Sequence, residues 1–193
     1  MRERSTVLGP CWTEWELVLG AVPRFQGHRQ PRLPLLGPYD DRKPWVHTLQ
    51  QALARFFGID FFCFGIFWSG GQRYFEVPLD EAFIEHGGGA GFPFCVMWAN
   101  RLPRKVLPVK IRPRAVIEES RRVLTDTHDF LHLVRFVERR YFRQENYVRL
   151  FGAPIFFIFD STFFIRQLGV VGAKETLMMA RKYLSPLLLV MPM

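Results

Sequence analysis

The sequence predicts an α/β domain built on parallel strands, and three observations carry that expectation. Four near-continuous apolar runs, Ile59 to Phe67, Phe92 to Trp98, Pro154 to Phe159 and Pro186 to Met191, have the composition of strands covered on both faces. Segments of helical periodicity lie between them, and strand–helix alternation implies parallel pairing through crossovers. The 20 phenylalanines in 193 residues supply the bulk that such a core needs. A (β/α)8 barrel and an open doubly wound sheet both satisfy this pattern.

Taken in chain order, the first segment is unlike the rest. Residues 23–44 form a loop rich in proline and glycine that cannot hold regular structure, yet Phe25, Leu33, Leu35, Leu36 and Tyr39 give it apolar anchors. A helix then follows Pro44, with Leu49, Leu53, Phe56 and Phe57 at helical spacing and Gly58 as its stop. Beyond the first strand, Leu79 to Glu85 reads as a short helical piece before Gly87-Gly88-Gly89. The second strand ends in Trp98-Ala99-Asn100, where a core-filling run gives way to an amide and then to Arg101, Arg104 and Lys105. Residues 127–142 place Phe130, Leu133, Val134 and Val137 on one helical stripe. The third strand follows at 154–159, a helix over 173–183 is closed by Ser185-Pro186, and the last strand completes the series.

Composition narrows the classes. A net charge of +8 and a sequence pI near 9.9 favour anionic partners without fixing a fold. The 3 cysteines, Cys11, Cys63 and Cys95, cannot all pair; Cys63 and Cys95 sit within apolar runs as small hydrophobes, which suits a reduced, cytoplasmic protein. No apolar region follows the charged Met-Arg-Glu-Arg start, so a secretory signal is not expected, and the longest apolar stretch, Phe56 to Trp68, is too short to span a membrane. Neither Gly-x-Gly-x-x-Gly after a strand nor a P-loop is present, so no nucleotide cofactor is expected, nor any other.

Several motifs are specific. Thr13-Glu14-Trp15, then Phe25-x-Gly27-His28-x-Gln30-Pro31-x-Leu33-Pro34, then Leu36-Gly37-x-Tyr39-Asp40 stand in one order. Gly58-Ile59, Phe62-Cys63, Phe67-Trp68, Pro78-Leu79, Pro93-Phe94 and Trp98-Ala99-Asn100 follow, and Tyr147-x-Arg149, Gly152, Pro154 and Phe156 close the series. Together, over about residues 12 to 160, they resemble the WbsX-type glycosyltransferase family, described also as glycoside hydrolase family 99-like and associated with lipopolysaccharide and O-antigen biosynthesis.

The resemblance implies a (β/α)8 (TIM-type) barrel with its site at the carboxyl ends of parallel strands. The chain is expected to be a single domain over 1–193 that holds only part of such a barrel, truncated at both ends. It further implies a glycan or sugar-phosphate substrate. Candidate substrate-binding residues are Trp98, Asn100, Trp68, His28, Tyr39, Trp15, Glu14 and Asp40. An indole stacks on the apolar C–H face of a sugar, and a carboxamide binds hydroxyls as donor and acceptor. Five of them have a plain alternative: strand-end packing for Trp98, a turn for Asn100, loop bracing for His28, capping or bracing for Glu14 and Asp40.

Where the family continues Glu-x-Trp-Thr-Arg after Trp-Ala-Asn, this chain reads Arg101-Leu102-Pro103-Arg104-Lys105. The family's acidic Asn-Glu-Trp-x-Glu segment is not found in it, so no residue is assigned a catalytic role. Two accounts of activity remain open at this stage: a glycosyltransferase or glycoside hydrolase, or a truncated, inactive homologue that at most binds glycan or that needs a partner chain to complete the barrel. His128 and His132 lie four apart on one helix, but without a third ligand they read as surface residues, and no metal is expected. The basic stretch from Arg101 to Arg122 contains no interleaved aromatics, so nucleic acid is not an expected partner.

Overall fold

The computed structural model describes residues 13–87, 90–100, 123, 125–183 and 188–190. These fall into two compact units, one of residues 13–40 and one of the described residues from 41 onward. In the first unit, helix α1 (Glu14–Leu19) begins after Thr13, whose extended backbone N–H donates to Glu16 Oε1 at 3.3 Å. The helix stops at Gly20, and the chain from 21 to 40 has no regular element, as its prolines dictate.

The second unit opens with α2 (Pro44–Phe56). Pro44 sits at the first helical position, where its missing N–H costs nothing, and Gly58, at φ 71°, provides the left-handed turn that ends the helix. Strand β1 (Phe62–Ser69) turns through Gly70 and Gly71 into the short antiparallel β2 (Gln72–Tyr74). Positive φ at both glycines is what a two-residue hairpin turn requires. A π-helical segment, Pro78–Glu85, leads to β3 (Phe94–Trp98). Helix α3 (Thr127–Val137) is capped by Asp126, which accepts from Asp129 N at 2.8 Å, and it runs on as a π-helical turn over Glu138–Phe142. The hairpin of β4 (Arg149–Leu150) and β5 (Ala153–Ile158) follows. Helix α4 (Ser161–Tyr183) is broken at Gly169, and β6 (Leu188–Val190) closes the order.

The sheet runs β2-β1-β3-β5-β4, with β6 also paired to β5. Its middle is parallel: β1 to β3, β3 to β5 and β5 to β6, each step crossing through a helical segment. The chain is therefore mixed α/β, with parallel strands where the apolar runs predicted them and antiparallel hairpins at β2 and β4. Strand β1 starts three residues later than expected, at Phe62, and the helix expected over 173–183 extends back to Ser161.

Register decides which side chains face the helices. Ile66, Trp98 and Ile158 are partners across three strands, and all are buried against α3 and α4. The alternate residues of β1, Cys63, Gly65 and Phe67, lie on the opposite, exposed face. Among the described residues, the packing of α2, α3 and α4 is on one face: His47 meets Phe64, Phe130 meets Trp98, and Phe164 meets Trp98.

Candidate functional site

The carboxyl ends of β1, β3 and β5 lie side by side, and three polar clasps fix them. The first is Asn100, fully buried just past β3. Its Nδ2 donates to the Asp160 carbonyl at 2.8 Å, while its Oδ1 accepts from the Asp160 N–H at 2.7 Å. This reciprocal pair ties the end of β3 to the end of β5. The second is Asp160 itself, whose Oδ1 accepts from Phe163 N at 2.7 Å and so caps the start of α4.

The third clasp is Asp129, buried in the first turn of α3. Its Oδ1 accepts from Trp68 Nε1 at 3.0 Å and from Gly71 N at 2.7 Å, and its Oδ2 accepts from Gly70 N at 3.0 Å. One carboxylate thus holds the β1–β2 turn against a helix N-terminus, where the orphan N–H groups favour negative charge. Trp98 Nε1 in turn donates to the Trp68 carbonyl at 3.2 Å. The indole of Trp98 is 0% exposed, with ring centroids of Phe130 at 5.5 Å and Phe164 at 6.2 Å.

Trp98, Trp68 and Asn100 are therefore brought together, the two indoles packed into the helix layer and Asn100 bound to the end of β5. Both hydrogen-bonding ends of Asn100 are engaged by backbone, and no face of Trp98 is open. Sequence reading did not single out the residues on the other face at the same level. The ladder ends at Ile66–Trp98–Ile158, closed by Ala99 N donating to Ile66 O at 2.9 Å and Phe159 N to Trp98 O at 3.0 Å. The residues that follow it are Phe67, Ala99 and Phe159, with Phe67 43% and Phe159 42% exposed and Ala99 half-buried. The signal that could have found them is the two-residue period, counted from a position known to face the helices.

Behind the rim lies a charged cluster. Arg73 on β2 forms a two-pronged ion pair with Asp80, which also accepts from Tyr141 OH at 2.6 Å. The Arg73 guanidinium lies over Phe136, 4.8 Å from its centroid. Burial pushes the Tyr141 phenol well above its ordinary value, so it remains a donor to Asp80. These groups lock β2 to both π-helical segments.

The remaining expected residues belong to the first unit. Trp15 Nε1 donates to the Tyr39 carbonyl at 2.8 Å and its ring meets that of Tyr39 edge-on at 5.2 Å, which closes the proline-rich loop on α1. His28 Nδ1 accepts from Arg24 N at 3.3 Å, its Nε2 meets Gln30 Nε2 at 3.2 Å, and its ring stacks on Phe25 at 4.6 Å. Asp40 is half-buried at the end of the loop, and the side chain of Glu14 lies outside the described residues, as does the basic stretch 101–122. His128 and His132 are exposed with ring centroids 4.6 Å apart. No group of three potential metal ligands occurs among the described residues. No described helix is long and apolar enough to cross a membrane.

Comparison with known proteins bears on this arrangement. A family model described as Glycosyltransferase WbsX matches residues 1–191. Proteins called WxcX, themselves described as uncharacterized, from two strains of Xanthomonas campestris pv. campestris are 31% identical over 158 residues. That alignment takes in 81% of this chain and 22% of theirs, so the chain spans about a fifth of their length. Among solved structures, the GH99 endo-alpha-mannosidase from Bacteroides thetaiotaomicron superposes with a TM-score of 0.52 at 15% identity, over 83% of this chain and 41% of that one. That likeness is one of fold. The motifs from Thr13 to Phe156 agree with the match over nearly the whole length, and this chain belongs to the WbsX glycosyltransferase family.

Proposed function

We propose that this chain is the sugar-contacting part of a carbohydrate-active protein that works on glycosidic bonds in the assembly of cell-surface polysaccharide, of the lipopolysaccharide or O-antigen kind. The observation that carries the site is the exposure of Phe67 and Phe159, which with Ala99 follow the last paired rung at the carboxyl ends of three parallel strands. Neighbouring strands stand about 4.8 Å apart, so the two phenylalanine backbones are roughly 10 Å apart with a methyl side chain between them. Phenyl faces suit sugar C–H groups, and the clasps at Asn100, Asp129 and Asp160 fix the strand ends that carry them.

In this reading the exposed sheet face, with Cys63, Gly65 and Phe67, is the inward face of a (β/α)8-type barrel, supported by the fold likeness to the mannosidase and by helices on the other face. Trp98 and Asn100 form its scaffold. Trp15, Tyr39 and His28 hold the loop of the first unit, which is a candidate for sugar contact in its own right. Glycosidic chemistry calls for two carboxylates about 5 to 10 Å apart across one sugar. Asp129 is engaged by the β1–β2 turn and Asp160 by the start of α4, so both are assigned to the scaffold and not to bond cleavage.

Calorimetric titration with mannose-containing oligosaccharides tests the proposal. Phe67→Ala and Phe159→Ala each weaken binding about tenfold, the loss of one stacked ring, with the melting temperature near that of the unaltered chain because both side chains are exposed. Unaltered affinity in both variants, or no binding by the unaltered chain, removes the site.

A further inference from the structure

Strand β2 ends in one exposed aromatic and is followed by another. Tyr74 is the direct antiparallel partner of Phe67, so the two project from the same, helix-free face of the sheet, and Tyr74 is 46% exposed. Because β2 lies on the side of β1 away from β3, Tyr74 stands beyond Phe67 on the side away from Ala99 and Phe159. Arg73, between Gln72 and Tyr74, takes the other face of β2 and is bound to Asp80. Phe75 comes next, and its ring meets that of Phe67 edge-on, with centroids 5.2 Å apart and planes at 73°. Its φ of 60° lies in the left-handed region, which a bulky aromatic rarely adopts. The ring is 42% exposed, so packing offsets only part of that strain. Phe151 has a φ of the same sign, but with Gly152 it forms the two-residue turn of the β4–β5 hairpin, which requires that conformation at both positions. Phe75 lies outside any such turn, at the bend between β2 and the π-helical segment, where a glycine would serve without strain.

We propose that Tyr74 and Phe75 form a second sugar subsite, which holds the neutral pyranose adjoining the one stacked on Phe67; the inference rests on the reading of Phe67 as a sugar contact. Their ring faces supply stacking for the C–H groups of that sugar. Tyr74 OH donates to Gln72 Oε1 at 3.3 Å, which leaves the phenol oxygen as an acceptor and the carboxamide N–H groups as donors for its hydroxyls. Rings, a phenol and a carboxamide offer no charge to pair with an acidic sugar, so the subsite favours a neutral one. The hairpin that presents these groups is held in advance of binding: Asp129 fixes its turn, and the ion pair of Arg73 with Asp80 fixes its second strand. Strain at Phe75 is thus retained at a position where it sets a ring beside the sugar already held by Phe67.

The test is calorimetric titration of Phe75→Gly with mannose-containing oligosaccharides, since glycine keeps the bend without the ring. Affinity is expected to fall about tenfold, the loss of one stacked ring. A double-mutant cycle with Phe67→Ala separates a ring that binds sugar from one that only props Phe67. Independent contacts give a combined loss of about a hundredfold, whereas a prop adds nothing once Phe67 is gone. In the unaltered chain, saturating oligosaccharide is expected to slow nitration of Tyr74 by tetranitromethane severalfold, as read by peptide mapping. Unaltered affinity in Phe75→Gly, a double variant no weaker than Phe67→Ala, or nitration of Tyr74 at one rate with and without oligosaccharide overturns the subsite and leaves the Phe67 site standing. No binding by the unaltered chain removes both. The nitration map decides the matter even where a variant fails to fold.

Discussion

At Trp98 the residue scale separates two roles that a sequence cannot. The indole lies within the core, donates to the Trp68 carbonyl and is packed by Phe130 and Phe164. Trp98→Ala therefore destabilises the fold by about 3–5 kcal/mol in urea unfolding, the range for emptying a large aromatic site; a midpoint near that of the unaltered chain would place the ring at the surface instead. The strand and its polar tip were legible, because an apolar run that ends in Trp-Ala-Asn marks a strand terminus. The facing of each residue was not. In a strand apolar on both sides the alternation leaves no mark in the sequence, and Phe67, Trp68, Trp98 and Ala99 can be told apart only once one of them is seen against a helix. Asp129 was hidden for a similar reason: beside His128 on an exposed turn it reads as a surface acid, and its three donors come from Trp68, Gly70 and Gly71, some sixty residues away.

Elements were read well where they are long and periodic. The four apolar runs became β1, β3, β5 and β6, and the helical stripes became α2, α3 and the second half of α4. The omissions, β2, β4, α1 and the start of α4, are short or interrupted, and hairpin pairing over two or three residues leaves too brief a pattern to detect. Gly169 explains the interruption of α4. Its φ of 73° and ψ of 164° lie in a region that only glycine occupies readily, so the helical pattern breaks there and resumes on a new axis. Gly169→Ala should cost about 1–3 kcal/mol although no neighbouring atom crowds the position. Gly172→Ala, where an added methyl meets Leu168 Cβ at an ordinary 3.7 Å, should stabilise by up to about 1 kcal/mol. Thermal unfolding of the pair separates backbone strain from packing; equal effects would mean that the break at Gly169 is not a conformational demand.

Across the whole molecule, family membership was legible from motifs that the fold scatters over both units, while the layering of the second unit, with helices on one face of the sheet, was not. One buried ionisable group also ties stability to pH. His47 is buried between Phe64 and Phe83, with Nε2 donating to the Asp41 carbonyl at 2.7 Å, and burial lowers its pKa below the usual histidine value. An unfolded histidine takes up its proton near pH 6.5, the folded one only lower. Stability is thus fully present above about pH 6.5 and declines as pH falls toward the folded pKa. Urea midpoints at about pH 7.5 and about pH 5.5 should differ more in the unaltered chain than in His47→Gln, which cannot titrate; equal differences would show that His47 does not contribute.

The Asn100–Asp160 pair has a consequence for which sequences can occupy this fold. A position that must donate and accept at once, at fixed spacing, to the two backbone groups of one residue admits a single side chain. Aspartate lacks the donor, glutamine is one methylene too long, and leucine would strand both partners. Asp160 is less constrained, because its share of the pair comes from its backbone. Variation at the rim is thus channelled into Phe67, Ala99 and Phe159, which carry the exposed surface but none of the clasp. A scaffold of this kind can change what it recognises while every substitution that would loosen it is rejected.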